Sequence, residues 1–260
     1  MPILEGRRLV KCFPGKKKNF FQKEEFKALD DITLYLERGK TLGIVGESGS
    51  GKSTLGEILG GLQMPTSGIV LYDGRDISSL SKEQWKDYRK NVQFIFQNPK
   101  DSINPFFTIR KVLFEPMQLM LGIKDKEVLE KEARTMLEKV GLSLDVMDKY
   151  PTELSGGQCQ RVIIARALLL KPKIIICDEA VASLDVSVEA QILNLLKALQ
   201  KEFGTSYIFI SHNIGVIRYM SDDVFVMLHG KLIEKGSVDD VISHPKEEYT
   251  RQLINVGDDL

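Results

Sequence analysis

Residues 46–54, GESGSGKST, have the spacing of a loop that binds phosphate groups. The pattern G-x-x-x-x-G-K-[ST] falls on Gly46, Gly51, Lys52 and Ser53. In such a loop, backbone N–H groups and the positive end of the following helix hold the phosphates, while the lysine supplies charge and the serine a hydroxyl for Mg²⁺. The remaining residues predicted to contact the ligand are Ser48, Gly49, Ser50 and Thr54.

An acid, Glu47, stands inside this phosphate loop, where an anion is expected to bind. The binding groups are main-chain N–H groups, and every residue type except proline supplies one. The side chain of Glu47 can therefore point outward to solvent, and we expect the loop to tolerate its charge.

Two further acids follow the apolar run at residues 174–177. Continuous apolar runs are typical of buried parallel strands, and ligands of α/β proteins bind at the carboxyl ends of such strands. Asp178 is expected to hold Mg²⁺, directly or through water. Glu179 is placed to orient or deprotonate a water against a γ-phosphate. Two acids alone often simply end a strand, but beside a phosphate loop they predict a hydrolytic site.

A third stretch, LSGGQCQR, covers residues 154–161. Ser155 is suited to be the N-cap of a helix whose first N–H groups could face a second anion. An ordinary helix cap is the alternative interpretation of the same residues.

These residues need strands and helices to position them. The sequence predicts two short strands around a turn at residues 37–40, the second ending at the phosphate loop, and a helix that begins near Lys52. It also predicts a hairpin with its turn at Asp73 and Gly74, and a strand at residues 92–97. The three lysines at residues 16–18 are predicted to form a solvated turn in an N-terminal loop.

Residues 98–170 show helical periodicity and few strand signals, which predicts an inserted helical subdomain. Strands and helices then alternate, as in a parallel sheet covered by helices. The chain is predicted to finish with a hairpin and two short helices.

Composition disfavours several classes of protein. Lys plus Arg and Asp plus Glu both number 36 in 260 residues, so the formal charge is zero and we expect no nucleic-acid partner. The three cysteines form no C-x-x-C pair, and a reduced cytosolic compartment is expected. No signal peptide is predicted, and the apolar runs are too short to span a bilayer. The chain is therefore expected to be soluble, or peripheral on a membrane through another protein.

Together, the three stretches resemble those of ATP-binding cassette (ABC) ATPases, and the similarity covers nearly the whole chain. This resemblance implies a P-loop NTPase fold with a RecA-like parallel-sheet core, an antiparallel β subdomain and an inserted helical subdomain at about residues 98–170. Residues 1–260 would form one nucleotide-binding domain, with a short helical extension at about 236–260. ATP and Mg²⁺ are the implied cofactors.

The resemblance also implies roles for individual residues. Two cassettes of this family associate head to tail, and each ATP lies between one phosphate loop and the opposite signature. The implied catalytic residues are Glu179, His212, Gln97 and Lys52, and the implied metal ligands are Ser53, Gln97 and Asp178. The signature segment, residues 154–158, would contribute Leu154, Ser155, Gly156, Gly157 and Gln158, and the loop at residues 183–185 would contribute Asp185.

An aromatic residue is expected to stack on the adenine. Phe13 lies where the family often has tyrosine, and stacking requires only a π-face. A core position for Phe13 is the alternative, and Phe20, Phe21 and Phe26 are rival candidates.

More narrowly, the chain resembles the second ATPase subunit of bacterial peptide and nickel importers. The similar stretches include QFIFQNPKDSINP, LDVSVEAQILNLL and HPKEEYTRQLI. The implied partners are a second related ATPase or a second copy of this chain, two membrane-spanning permeases and an extracytoplasmic substrate-binding protein, with this subunit at the cytoplasmic face of the membrane.

Three residues depart from the family pattern. Cys159 replaces a basic residue, Ala180 replaces a proline, and Asn213 replaces an aspartate. None removes a catalytic group, so activity is expected. Ala180 and the short C-terminus slightly favour nickel or metal-chelate uptake over peptide uptake.

Two rival functions remain open. A non-transport ABC ATPase acting in DNA maintenance or translation predicts a long coiled coil or two fused cassettes, and neither is seen. An exporter ATPase commonly carries fused membrane helices, which the sequence lacks.

Overall fold

The structure, a computed structural model, describes residues 1–19, 22–182 and 184–258. It divides into two compact units. The phosphate-loop unit comprises Met1–Trp85 and Ser206–Leu260, and the signature unit comprises Lys86–Thr205. The phosphate-loop unit is therefore built from two segments that are far apart in the sequence.

The phosphate-loop unit contains eight of the ten strands assigned in the described residues. Its elements are β1 (Leu4–Asn19), β2 (Gln22–Leu36), β3 (Thr41–Val45), α1 (Lys52–Leu59), β4 (Ser67–Tyr72), β5 (Arg75–Asp76), β8 (Ser206–Ser211), α7 (Ile214–Met220), β9 (Asp223–Leu228), β10 (Lys231–Ser237), α8 (Val238–Ser243) and α9 (Glu248–Asp258). Helix α2 (Lys82–Asn91) spans the boundary between the units in the chain.

These strands form two groups. An antiparallel sheet has the order β2-β1-β4-β5, and a second group has the order β10-β9-β3-β8. Strand β3 is parallel to both β8 and β9, with Val45 paired to Ser211 and Val226. Every residue of β3 and β8 is buried, as is typical of strands in the interior of an α/β fold. The carboxyl ends of β3, β8 and β9 consequently meet at one edge.

The signature unit is mainly helical. Its elements are β6 (Val92–Ile95), α3 (Ile109–Leu121), α4 (Lys126–Lys139), α5 (Gly156–Leu168), β7 (Ile174–Asp178) and α6 (Val186–Phe203). Strand β6 is parallel to β7, and Ile95 is paired with Cys177. Helices α3, α4 and α5 pack against one another in pairs.

Local sequence signals explain where these helices begin. Thr108 accepts a hydrogen bond from the N–H of Lys111 at the start of α3. Asp125 accepts one from the N–H of Glu127 at the start of α4. Short polar side chains at this position satisfy N–H groups that the helix itself leaves unpaired. The helical periodicity predicted for residues 98–170 therefore corresponds to three capped helices.

Two local predictions differ from the structure. The lysines at residues 16–18 lie within β1, not in a loop, because antiparallel pairing with β2 outweighs the low strand preference of lysine. The strand predicted at residues 92–97 ends at Ile95, which leaves Gln97 beyond the strand. Across the described ranges, no helix is both long enough and apolar enough to cross a membrane.

Candidate active site

The phosphate loop connects β3 to α1. Helix α1 begins at Lys52, and Gly51, its N-cap residue, has φ 100°. Within the described part of the chain, no side chain caps this helix start. An uncapped helix start behind a glycine-rich loop is an arrangement that binds phosphate, because its N–H groups and dipole favour an anion.

Two glycines of the loop lie against main-chain oxygens. A Cβ at Gly46 would be 2.2 Å from the carbonyl oxygen of Met227, and a Cβ at Gly51 would be 2.5 Å from that of Ala28. Both distances are far below a van der Waals contact, so any larger residue would displace the loop. The strands that support the loop therefore require glycine at both positions.

The side chains of the loop are divided between interior and solvent. Lys52 is 4% exposed, and its ammonium group donates to the carbonyl oxygens of Gly46, at 2.7 Å, and Glu47, at 2.8 Å. The Glu47 side chain is exposed, which confirms that it faces solvent. Ser50 is 2% exposed, and its hydroxyl has no hydrogen-bond partner among the described residues. A buried cation, an unpaired hydroxyl and an uncapped helix start together fit a polyphosphate.

His212 follows β8 at the same edge as the phosphate loop. Ser211 is paired with Val45, so His212 and Gly46 each come directly after a paired residue. His212 is exposed. The next residue, Asn213, caps α7 by accepting hydrogen bonds from the N–H groups of Gly215, at 2.8 Å, and Val216, at 3.3 Å. Asparagine therefore performs the capping that aspartate would perform at this position.

The aromatic candidates lie on the β1–β2 hairpin. Phe13 on β1 is paired with Phe26 on β2. Phe13 is half-buried, with the Lys11 ammonium 5.3 Å from its ring centre, whereas Phe26 is 59% exposed. Phe20 and Phe21 lie outside the described residues. The assignment of the adenine-stacking residue stays a prediction.

The acidic residues lie in the signature unit, at the carboxyl ends of its two strands. Asp178 is the last residue of β7, and Gln97 lies two residues beyond the end of β6. Since β6 and β7 are parallel and in register, Gln97, Asp178 and Glu179 share one edge. Glu179 has φ 48°, a left-handed conformation that is strained for this residue type and is often found at functional sites.

The signature segment forms the start of α5. Ser155 Oγ accepts from the N–H of Gln158, at 3.2 Å, and Gln158 Oε1 accepts from the N–H of Ser155, at 3.0 Å, which makes a reciprocal capping box. A Cβ at Gly157 would be 2.6 Å from Val188 Cγ1, so the segment packs tightly on α6. Asp185 is the N-cap residue of α6 and is exposed, and Ser183 lies outside the described residues.

Two departures from the family pattern are buried. Cys159 is fully buried, and its Sγ donates to the carbonyl oxygen of Pro151 at 3.4 Å. Burial raises the pKa of Cys159, so the thiol stays protonated at neutral pH. Ala180, next to Glu179, is 1% exposed. Both side chains are therefore part of the interior of the signature unit.

Each unit therefore assembles part of the predicted site. The phosphate loop and His212 belong to one unit, while Gln97, Asp178, Glu179, the signature segment and Asp185 belong to the other. In the described part of the chain, no group of three or more His, Cys, Asp or Glu side chains could hold a metal ion. Mg²⁺ is commonly bound by one or two carboxylates together with water and phosphate oxygens, so a single carboxylate such as that of Asp178 suits it without such a cluster.

Sequence reasoning missed one contact of the phosphate loop. The N–H of Glu47 donates a hydrogen bond of 2.8 Å to the hydroxyl oxygen of Tyr249 in α9. The two residues are 202 positions apart, and neither lies in a pattern that indicates the other. Only the fold brings them together.

A glycine-rich loop between a buried parallel strand and an uncapped helix defines a P-loop nucleotide-binding protein. The sequence model of the ABC transporter family matches residues 29–182, and the chain belongs to this family. The protein is an ABC ATPase coupled to transport, as its relatives and structural neighbours indicate. ATP is accordingly its nucleotide.

The relatives of the chain include ATP-binding proteins of peptide transport. It is 44% identical over 254 residues to the dipeptide transport ATP-binding protein DppF of Escherichia coli (strain K12), covering 98% of this chain and 76% of the relative. It is 43% identical to the oligopeptide transport ATP-binding protein OppF of the same organism, covering 97% and 79%. These relatives give no support to the preference for nickel.

Solved structures confirm the fold class. A dimeric post-hydrolysis state of the ATP-binding cassette MJ0796, bound to ADP and Pi, has a TM-score of 0.80 and 29% identity, covering 90% of this chain and 98% of that one. The protein cbiO1 of Clostridium perfringens, part of the ABC transporter complex cbiONQ, has a TM-score of 0.78 and 28% identity, covering 99% and 98%. The chain therefore has the mixed α/β fold of an ABC ATPase.

Proposed function

We propose that this chain is the ATP-hydrolysing subunit of a bacterial importer of dipeptides or oligopeptides. The observation that supports this most strongly is its similarity to DppF and OppF across nearly its whole length. A phosphate loop with a buried lysine and an uncapped helix supports the binding of ATP. Both lines of support agree on the activity, and the relatives supply the class of cargo.

In this proposal the phosphate loop holds the β- and γ-phosphates. The N–H groups at the start of α1 bind phosphate oxygens, and the Lys52 ammonium moves from the carbonyl oxygens of Gly46 and Glu47 to the phosphates. The hydroxyl of Ser53 and the carboxylate of Asp178 would hold Mg²⁺, with Gln97 contributing through its amide oxygen. Mg²⁺ supplies charge neutralisation of the polyphosphate when it is bound.

Hydrolysis would require a base, and Glu179 is the best placed acid. Its carboxylate takes a proton from a water, whose oxygen attacks the γ-phosphorus while the bond to the ADP oxygen breaks. His212 and Lys52 stabilise the charge that develops on the γ-phosphate. The strained φ of Glu179 supports a functional role, because such strain persists where the surrounding structure imposes it.

The signature segment and Asp185 would act on a second cassette. The exposed Ser155 and the half-buried glycines of the segment could face the γ-phosphate of an ATP on another subunit. The dimeric MJ0796 structure supports such an association. The partner would be a second related ATPase or a second copy of this chain, together with two permeases and an extracytoplasmic substrate-binding protein. The subunit would then lie at the cytoplasmic face of the membrane.

We further propose that residues 1–260 form a single nucleotide-binding domain. Helices α3, α4 and α5 would be the helical subdomain within residues 98–170, and α8 and α9 the short extension at about 236–260. Phe13 would stack on the adenine, with Phe26 as the alternative among the described residues and Phe20 and Phe21 as further candidates outside them. Replacing Phe13 by Ala and Phe26 by Ala in turn would identify the stacking residue, because only that variant should lose affinity for ATP.

Uptake measurements test the choice of cargo. Deleting the gene should reduce uptake of labelled dipeptides and oligopeptides while leaving nickel uptake unchanged. The wild-type gene should restore peptide uptake, whereas the Lys52→Ala variant should not. Normal peptide uptake with reduced cellular nickel would contradict the proposal and favour the nickel branch.

A further inference from the structure

Helix α9 holds one peptide group of the phosphate loop. The hydroxyl oxygen of Tyr249 accepts a hydrogen bond from the N–H of Glu47 at 2.8 Å, although Glu47 has no role in the family pattern beyond an exposed x position. Tyr249 is half-buried, and both residues belong to the phosphate-loop unit. The bond therefore links the C-terminal helix directly to the main chain of the loop.

The carbonyl group of Glu47 also takes part in hydrogen bonds within the loop. The carbonyl oxygen of Glu47 accepts from the Lys52 ammonium at 2.8 Å and from the N–H of Ser50 at 3.2 Å. Tyr249 thus holds Glu47 in place. The carbonyl oxygen of Glu47 is one of the two oxygens that the Lys52 ammonium must leave when it moves to a phosphate. A displacement of Glu47 would change both the shape of the loop and the starting position of the Lys52 ammonium.

Helix α9 is itself firmly attached to β10. Glu234 of β10 is 8% exposed, and its carboxylate accepts hydrogen bonds from the N–H groups of Lys246, at 2.8 Å, and Glu247, at 3.1 Å. Thr250, the neighbour of Tyr249, is fully buried. An anchored helix can hold Tyr249 in one place, because the bonds to Glu234 satisfy N–H groups just before the helix starts.

The chemical state of Tyr249 suits this role. Burial is the main cause that raises the pKa of Tyr249, the bond from the Glu47 N–H opposes it, and the charge of Glu47 adds to it. The phenol is therefore neutral at physiological pH. Its oxygen accepts the bond from the loop without bringing a negative charge close to the phosphates.

We propose that Tyr249 is a positioning residue that preorganises the phosphate loop for nucleotide, so that α9 controls the affinity of the site. The inference rests on residues 46–54 being the ATP site. A loop that is ordered before binding spares the ligand the cost of ordering it. ATP and ADP should benefit equally, because both engage the loop, and turnover at saturating ATP should not depend on this bond.

The Tyr249→Phe variant tests this inference, because it removes only the hydroxyl. The Kd values for ATP and ADP should both rise by roughly 3- to 10-fold, the size expected for one neutral hydrogen bond, while kcat stays within about twofold. Amide hydrogen exchange at Glu47 should become faster. The matched control is Tyr35→Phe, since Tyr35 lies on β2 of the same unit and is 50% exposed. This control variant should bind both nucleotides with the same Kd values as the wild type.

A second variant tests the attachment of α9 to β10 through Glu234. Glu234→Gln weakens the attachment of α9 without touching Tyr249 and should raise both Kd values by a smaller factor.

Unchanged nucleotide affinity and unchanged exchange at Glu47 in Tyr249→Phe would overturn the inference, and so would a loss of thermal stability with no change in affinity. If the wild type itself fails to bind ATP, or binds it independently of Lys52, the assignment of the ATP site has failed instead.

Discussion

Helices α1 and α5 begin in different ways, although both starts are proposed to face phosphate groups. At α1 the N-cap residue is Gly51, and no side chain of the described residues caps the helix. At α5 the N-cap residue is Ser155, which exchanges hydrogen bonds with Gln158 in a capping box. The start of α1 is therefore open to a ligand, whereas the capping box at the start of α5 satisfies two of the N–H groups there.

This difference separates two kinds of anion site. Among the described residues no side chain caps the start of α1, so an external anion can approach its N–H groups, and we expect it to bind nucleotide in the isolated chain. The start of α5 is already stabilised by its own side chains, so binding there must displace the cap or use the neighbouring glycine N–H groups. We therefore expect the signature segment to bind phosphate only when another subunit presents it.

Replacing Glu179 by Gln should have the largest effect on the rate of ATP hydrolysis. It should also show ATP bound at both the phosphate loop and the signature segment of a second subunit. Glutamine cannot accept a proton from the attacking water, so hydrolysis should slow by roughly 10²–10⁴-fold. ATP should remain bound, because the residues of the phosphate loop are unchanged. The protein should then form an ATP- and Mg²⁺-dependent dimer, or a trapped complex with the partner cassette, measurable by size-exclusion chromatography. Hydrolysis near the wild-type rate would show that Glu179 is not the base.

Replacing Lys52 by Ala should affect only the first kind of site. The loss of a charge-assisted contact worth about 1.5–3 kcal/mol should weaken ATP binding on the order of 10- to 150-fold and reduce hydrolysis with it. Lys40→Ala is the matched control, because Lys40 is half-exposed and pairs with Asp222 at 3.3 Å. Calorimetric titration measures both variants, and undiminished ATP turnover in Lys52→Ala would refute the assignment.

Replacing Ser155 by Ala should affect the second kind of site. Loss of an N-cap side chain costs about 1 kcal/mol of stability, which denaturant unfolding can measure. ATP affinity of the isolated chain should not change, because Ser155 is proposed to face the ATP of another subunit, but hydrolysis by the assembled transporter should fall. A marked loss of ATP affinity in the isolated chain would contradict the distinction between the two helix starts.

Replacing Asn213 by Asp should have the smallest effect. Both residues are good N-caps, so the stability of the protein should change by only a few tenths of a kcal/mol. The hydrogen bonds to the N–H groups of Gly215 and Val216 should be retained. A change in unfolding free energy above about 1 kcal/mol would show that Asn213 does more than cap α7.

Much of the fold and the local environment of the site follow from short-range signals. The helix start at Lys52, the turn at Asp73 and the cap at Ser155 are each encoded within a few residues, and the structure confirms all three. The turn predicted for the lysines at residues 16–18 is wrong, because their strand depends on pairing with β2, which no local signal indicates. The contact between Glu47 and Tyr249 could not be predicted, since it exists only after β10 and α9 are in place.

The two-segment construction of the phosphate-loop unit has a consequence for the order of biosynthesis. The loop is translated early, but Met227 and Gly230, whose N–H donates to the carbonyl oxygen of Ser50, are translated roughly 180 residues later. At usual rates of translation this delay lasts on the order of ten to forty seconds. A nascent chain therefore carries a complete phosphate-binding sequence long before it has the strands that shape it. Stalled chains that end before residue 206 should accordingly not be retained on immobilised ATP, and the ability to bind nucleotide should mark a chain translated beyond Gly230.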